Sequence, residues 1–136
     1  MNASPAPLFE TPVRVYWEDT DAGGVVYYAN YLRFFERART EWLRAIGLSQ
    51  EVLRCTHERL FLVTEAQLRY LAPARLDDAL RITVEQPVTA PASVSLTQRA
   101  WRGQTLLVQA SIRVACVHAQ TLRPQRLPQP LLETLP

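Results

Sequence analysis

Hydrophobic positions along the chain change period twice, and each change marks a new element. From Thr11 to Trp17, the β-branched and aromatic residues Val13, Val15 and Tyr16 predict a strand that runs into an Asp-rich and Gly-rich turn, Glu18 to Gly24. Beyond the turn, Tyr31, Phe34, Phe35, Ala38, Trp42, Ala45 and Ile46 recur at helical spacing, with Arg33, Arg37, Thr40, Glu41 and Arg44 on the opposite side. This predicts one long amphipathic helix. The side-chain oxygen of Asn30 can cap its first turn, and Gly47 stands where a left-handed C-terminal residue is wanted. A short helical stretch follows around Gln50 to Arg54, and then four strands: Leu60–Tyr70, Ala79–Gln86, Ser93–Trp101 and Gln104–His118. In the last of these, Leu106, Val108, Ala110, Ile112, Val114 and Cys116 alternate with Thr105, Gln109, Ser111 and Arg113, the period of a strand with one buried face. Arg102-Gly103-Gln104 reads as a hairpin turn and Ala72 to Asp78 as a longer connection. The pattern predicts an α+β domain in which an antiparallel sheet wraps around one long central helix, because Phe34, Phe35, Trp42 and Ile46 need a large apolar surface to cover them.

Composition narrows the picture to one domain: 136 residues with 48% hydrophobic content form a single core, placed at about residues 11–119 between Pro-rich, irregular ends, Met1 to Glu10 and Thr121 to Pro136. MNASPAPLFETPVRV holds no apolar run long enough for a signal peptide, and nothing downstream approaches a membrane span. A soluble, cytoplasmic protein is expected. Cys55 and Cys116 read as buried free thiols, and His57 and His118 stand far apart with no ligand spacing around them, so no metal is expected. All 15 basic positions are arginine. The absence of lysine excludes a lysine Schiff base and a P-loop lysine. The arginines are spread from Arg14 to Arg126 without clustering, which favours solvated surface charge over nucleic-acid binding.

Candidate chemistry concentrates in DTDAGGVVYYANY, Asp19 to Tyr31. Glu18, Asp19 and Asp21 put three carboxylates within four positions, and their repulsion raises at least one pKa unless backbone donors compensate. A carboxylate there can serve as base or nucleophile. Gly23 and Gly24 permit a close approach to the main chain, and the helix that starts near Ala29 offers unsatisfied N–H groups. These parts suffice for acyl transfer to water. A turn with a polar cap explains Asp19-Thr20-Asp21 equally well on pattern alone.

DTDAGGVVYYANY, followed by FFERARTEWLRAIGL and YLAPARLDD, resembles the 4-hydroxybenzoyl-CoA thioesterase family, and most nearly its Tol-Pal-associated acyl-CoA thioesterases. The likeness runs from about Arg14 through Asp78. It implies a hot-dog fold, an active site where two subunits meet, no cofactor, and a homo-oligomer assembled as a dimer of dimers. In that family the second aspartate of the D-x-D pair carries catalysis, which maps onto Asp21, while Asp19 maps onto a supporting turn position. The oxyanion donor maps onto the backbone N–H of Tyr28. Many Tol-Pal-associated relatives have histidine here, whereas tyrosine resembles the 4-hydroxybenzoyl-CoA enzymes, which leaves the acyl group open. Tyr27, Asn30, Val63 and Thr64 are further candidates for lining the pocket. Arg99 and Arg102 are candidates for the CoA phosphates, set against their reading as exposed strand and turn charges.

The expected function is therefore acyl-CoA hydrolysis to free acid and CoA, dependent on Asp21. The alternative is a non-catalytic acyl-binding or scaffold protein that associates with acyl-carrier protein or lipid-synthesis enzymes. A serine nucleophile is disfavoured by the absence of a G-x-S-x-G elbow, and a dehydratase by the absence of a histidine beside the acid.

Overall fold

The computed structural model describes residues 6–136; the first five positions of the predicted irregular N-terminal end lie outside the described residues. Its elements are β1 (Phe9–Arg14), α1 (Tyr31–Ala45), α2 (Gln50–Cys55), β2 (Arg59–Tyr70), β3 (Ala79–Ala90), β4 (Ser93–Arg102), β5 (Thr105–His118) and α3 (Gln129–Thr134). The strands form one sheet in the order β1-β3-β4-β5-β2, with every neighbouring pair antiparallel. The sheet covers α1 on its apolar side.

The helix packs as its periodicity predicts. Tyr31, Phe34, Phe35, Ala38 and Trp42 are buried, while Leu32, Arg33, Glu36 and Arg37 face out. Each buried phenylalanine contributes on the order of 2 kcal/mol through the apolar area it removes from water. Their counterparts are Val13 and Val15 on the first strand's side, and Ile82, Leu96, Ala100 and Ile112 from the sheet. Gly47 closes the helix with φ +85°: its N–H donates to the Arg44 carbonyl, and Leu48, fully buried, donates to Leu43. Ala45, assigned to the apolar face, is instead exposed, because the chain turns away from the core at that point.

A polar network ties helix to sheet. Gln98 on β4 is completely buried; its Nε2 donates to the Phe35 and Thr83 carbonyls at 3.1 Å, and its Oε1 accepts from Arg39. Nearby, Arg99 pairs with buried Glu85 at 2.6 Å.

Several expectations need correction. The C-terminal segment is irregular only as far as Pro128 and packs on the core: Leu127 and Leu131 are buried, the Leu127 N–H donates to the Pro91 carbonyl, and α3 follows. A single helix cannot cover both faces of such a sheet, so the sequence predicts a patch of Leu107, Val117 and Trp101 that only a partner chain would bury; Leu107 and Val117 are instead buried in the single chain. Leu107 is the extra residue of a β-bulge and joins the core, with its carbonyl accepting the Leu71 and Ala72 N–H groups, and Val117 bridges to Pro124. Trp101 is half-buried with the Arg81 guanidinium over its ring. Cys116 is buried, and burial pushes its thiol up, but Cys55 ends α2 in the open.

Candidate active site

The acidic turn divides its carboxylates between two tasks. Asp19 is buried; its Oδ2 accepts the Tyr16 N–H at 2.8 Å, and its Oδ1 accepts the Asn30 amide at 2.9 Å. Its carbonyl accepts the Tyr27 N–H. Asp19 therefore ties the start of the loop to the start of the helix. Asn30 is correspondingly buried and turned round: its side chain donates to Asp19 and does not cap α1 with its oxygen.

Asp21 is exposed. One carboxylate oxygen accepts the Gly23 N–H at 2.8 Å, and among the described residues the other has no hydrogen-bond partner. The Asp21 N–H donates to Val25, the Gly24 N–H returns to Asp21, and Gly24 sits at φ +78°. A Cβ at position 23 would come within 3.2 Å of the carboxylate, so glycine there permits this tight turn. Backbone and amide donors thus meet the carboxylates of Asp19 and Asp21. Asp21 opens onto a depression of about 480 Å³ shared with Trp17, Thr20, Ala22, Gly24 and Leu76.

Tyr28 begins a 3-10 turn, Tyr28–Asn30, that leads into α1. As the first residue of that turn its N–H has no intrahelical acceptor, and none is found for it among the described residues. Its carbonyl accepts the Tyr70 hydroxyl at 2.8 Å, so the end of β2 holds the Tyr28–Ala29 peptide, the one that follows the peptide carrying the Tyr28 N–H. Tyr28, Tyr31 and Tyr70 wall a second cavity of about 290 Å³ with Val26, Leu71 and Pro73. The neighbouring phenol of Tyr28 raises the Tyr27 pKa above the ordinary tyrosine value, which makes Tyr27 a neutral group and a poor base.

YLAPARLDD holds the loop from below. The Ala74 carbonyl accepts the Val26 N–H, Val25 bridges to Arg75, and Asp78 takes the Arg75 N–H and the Arg102 guanidinium. Burial works against ionisation of Asp78, but these donors outweigh it and keep the carboxyl below its usual range. Arg99 and Arg102 are therefore engaged in ion pairs within the fold.

Val63 and Thr64 lie apart from Asp21 in this chain. Both are exposed on β2, at a bulge between Val63 and Glu65. Val63 lines a third cavity, of about 240 Å³, between α1, α2 and β2. Sequence reading missed Tyr70 as a site residue, although it opens the YLAPARLDD motif.

Comparison with known proteins agrees with this arrangement. A family model described as the thioesterase-like superfamily matches residues 15–135. The acyl-CoA thioester hydrolase YbgC of Escherichia coli strain CFT073 is 47% identical over 127 residues, covering 92% of this chain and 93% of that protein. The acyl-CoA thioesterase YbgC of Haemophilus influenzae is 43% identical, with 89% of each chain covered. Among solved structures, a probable thioesterase from Bartonella henselae superposes with a TM-score of 0.84 at 34% identity, covering 88% of this chain and 98% of that one. The chain belongs to the thioesterase-like superfamily, whose hot-dog fold is the sheet-around-helix arrangement seen here.

Proposed function

We propose that this protein hydrolyses acyl-CoA thioesters to the free acid and CoA, with Asp21 as the base and the Tyr28 N–H as the oxyanion donor. The observation that carries the reading is the pairing, at one end of α1, of a carboxylate with a free oxygen and a peptide N–H without an acceptor. Water attacks the thioester carbonyl while Asp21 takes its proton; the negative oxygen that develops is stabilised by the Tyr28 N–H. Collapse of the tetrahedral intermediate breaks the C–S bond and expels the CoA thiolate. The 43% and 47% identical relatives, both named as acyl-CoA hydrolases, support this over an acyl-binding scaffold. Placement in the Tol-Pal-associated subgroup rests on the DTDAGGVVYYANY and YLAPARLDD resemblance, and a cytoplasmic location follows from the use of CoA thioesters.

The reading includes a dimer. In one chain the candidate residues are distributed over three cavities, and β2 pairs with β5 alone. Its other edge is unpaired among the described residues and carries exposed Leu62, Val63 and Tyr70, and an open edge of twelve residues calls for a partner. Antiparallel pairing of two copies about the midpoint of Arg59–Tyr70 sets Tyr70 opposite the partner's Arg59. Because Tyr70 holds Tyr28, this pairing carries the oxyanion donor to the mouth of the partner's Val63 cavity.

A thiol-release assay across short, long and aromatic acyl-CoA esters tests the reaction. Turnover of one or more of them is expected, and no turnover of any would leave the scaffold reading in its place. Tyr28→Phe should keep activity within about tenfold, because the donor is main chain and not phenol. Loss as deep as that of an Asp21 variant would give the phenol a direct role. Tyr70→Phe removes the bond to the Tyr28 carbonyl, which fixes the peptide next to the one carrying the donor N–H, and kcat should fall by up to about tenfold with KM little changed, since the donor acts mainly in the transition state. An effect confined to KM would remove Tyr70 from oxyanion positioning.

A further inference from the structure

The cavity between α1, α2 and β2 combines apolar walls with an unpaired cation. Leu43, Leu53, Phe61, Val63 and Val114 line it, and Arg39 reaches it from the inner side of α1. The Arg39 guanidinium is half-buried and has one hydrogen-bond partner among the described residues, the neutral Gln98 Oε1 at 2.9 Å. Among the described residues no carboxylate lies within ion-pair distance of it. Glu36 lines the same cavity, but its Oε1 accepts the Thr40 hydroxyl. Arg59, also on the lining, donates to the His57 and Arg126 carbonyls. Two guanidiniums against one carboxylate leave the cavity net positive. Burial, opposed only in part by Glu36, pulls the Arg39 pKa below the ordinary arginine value.

A guanidinium held in partly dry surroundings gains most from a carboxylate that can take two of its N–H groups. A smaller apolar space, shared by Arg39, Leu43, Phe61 and Val114 with Trp42 and Leu131, continues past it beneath the helix. An acyl chain entering along Phe61 and Val63 therefore runs between apolar walls into which the Arg39 cation is set.

We propose that this cavity receives the acyl group of the substrate and that Arg39 selects chains ending in a carboxylate, the CoA monothioesters of dicarboxylic acids. The inference rests on the thioesterase reading and on the dimer that brings the partner subunit's Tyr28 to the cavity mouth. Hydrolysis then yields a dicarboxylate and CoA.

The test compares kcat/KM for CoA thioesters of equal length with a methyl or a carboxylate end: hexanoyl against adipoyl, and decanoyl against sebacoyl. Wild type should prefer the carboxylate-ended member of at least one pair. Arg39→Gln should shift that preference by about ten- to a hundredfold toward the methyl-ended ester, the value of a hydrogen bond to a charged group, and Arg39→Lys should restore part of it. An unchanged ratio in Arg39→Gln overturns the inference, because a merely structural role lowers both rates together. If that variant does not fold, the wild-type ratios decide: a preference for methyl ends in both pairs overturns it. Cleavage of methyl-ended esters alone leaves the thioesterase reading standing, whereas cleavage of neither kind, with aromatic esters also inert, removes that reading itself.

Discussion

Asp21→Asn should lower thioester hydrolysis by about a hundred- to ten-thousandfold, the range that a positioned base contributes. The amide keeps the size of the carboxylate and can still accept the Gly23 N–H, but it cannot take a proton from water. Since Asp21 is exposed, stability should change by no more than about 0.5 kcal/mol. Asp19→Asn should show the reverse. Both oxygens of Asp19 accept hydrogen bonds in a buried position, and an amide there sets one N–H group against the Tyr16 N–H or the Asn30 amide. The loss should be about 1–3 kcal/mol, with a smaller effect on rate than at Asp21. Thermal melts and initial rates on the two variants separate the roles. Near wild-type turnover in Asp21→Asn would remove it as the base, and equal rate losses at the two sites would undo the division between them.

The second large effect concerns assembly. Activity should belong to particles of two or four chains, and it should fall toward zero as dilution produces monomer, because one chain keeps Asp21 and Val63 in separate cavities. Light scattering coupled to size-exclusion chromatography, with assays on each fraction, measures both quantities together. A fully active monomer would contradict the shared site. The patch of Leu107, Val117 and Trp101 has no part in this, since the first two are already covered by their own chain. Exposed Leu62, Val63 and Tyr70 on the β2 edge take its place.

The local signals in the sequence proved strong. Helical spacing located α1, alternation located β5, and Gly47 ended the helix through a backbone conformation that glycine adopts without strain. What the sequence concealed depends on distant partners. Asn30 has the right residue type for a cap, but its amide is drawn to Asp19, and no local rule decides which end of the side chain points inward. Proline-rich composition masked α3, whose stability comes from burying Leu131 against the core and not from helix propensity. Leu107 defeats the period-two reading because it is the extra residue of a β-bulge, where the register with β4 shifts between Ala100 and Trp101. At the site, the D-x-D motif was visible, but the split between a buried aspartate and an exposed one follows from how the loop folds back onto Asn30 and Tyr27. Tyr70 was read as the end of a strand, and its bond to Tyr28 spans 42 positions that no local pattern connects.

Subunit mixing tests the central claim, a thioesterase site that joins Asp21 of one chain to the β2 cavity of another, most directly. Asp21→Asn removes the base, and Val63→Arg blocks the cavity mouth; each homodimer should be inactive. Dissociating and reassociating the two variants in equal amounts forms mixed dimers in which one site has lost both features and the other has kept both. About a quarter of the wild-type rate should return, since about half of the dimers are mixed and each carries one intact site. If each chain instead completed its own site, no mixture could contain an intact one, and a mixed sample as inactive as its parents, with exchange of subunits verified, would contradict the account.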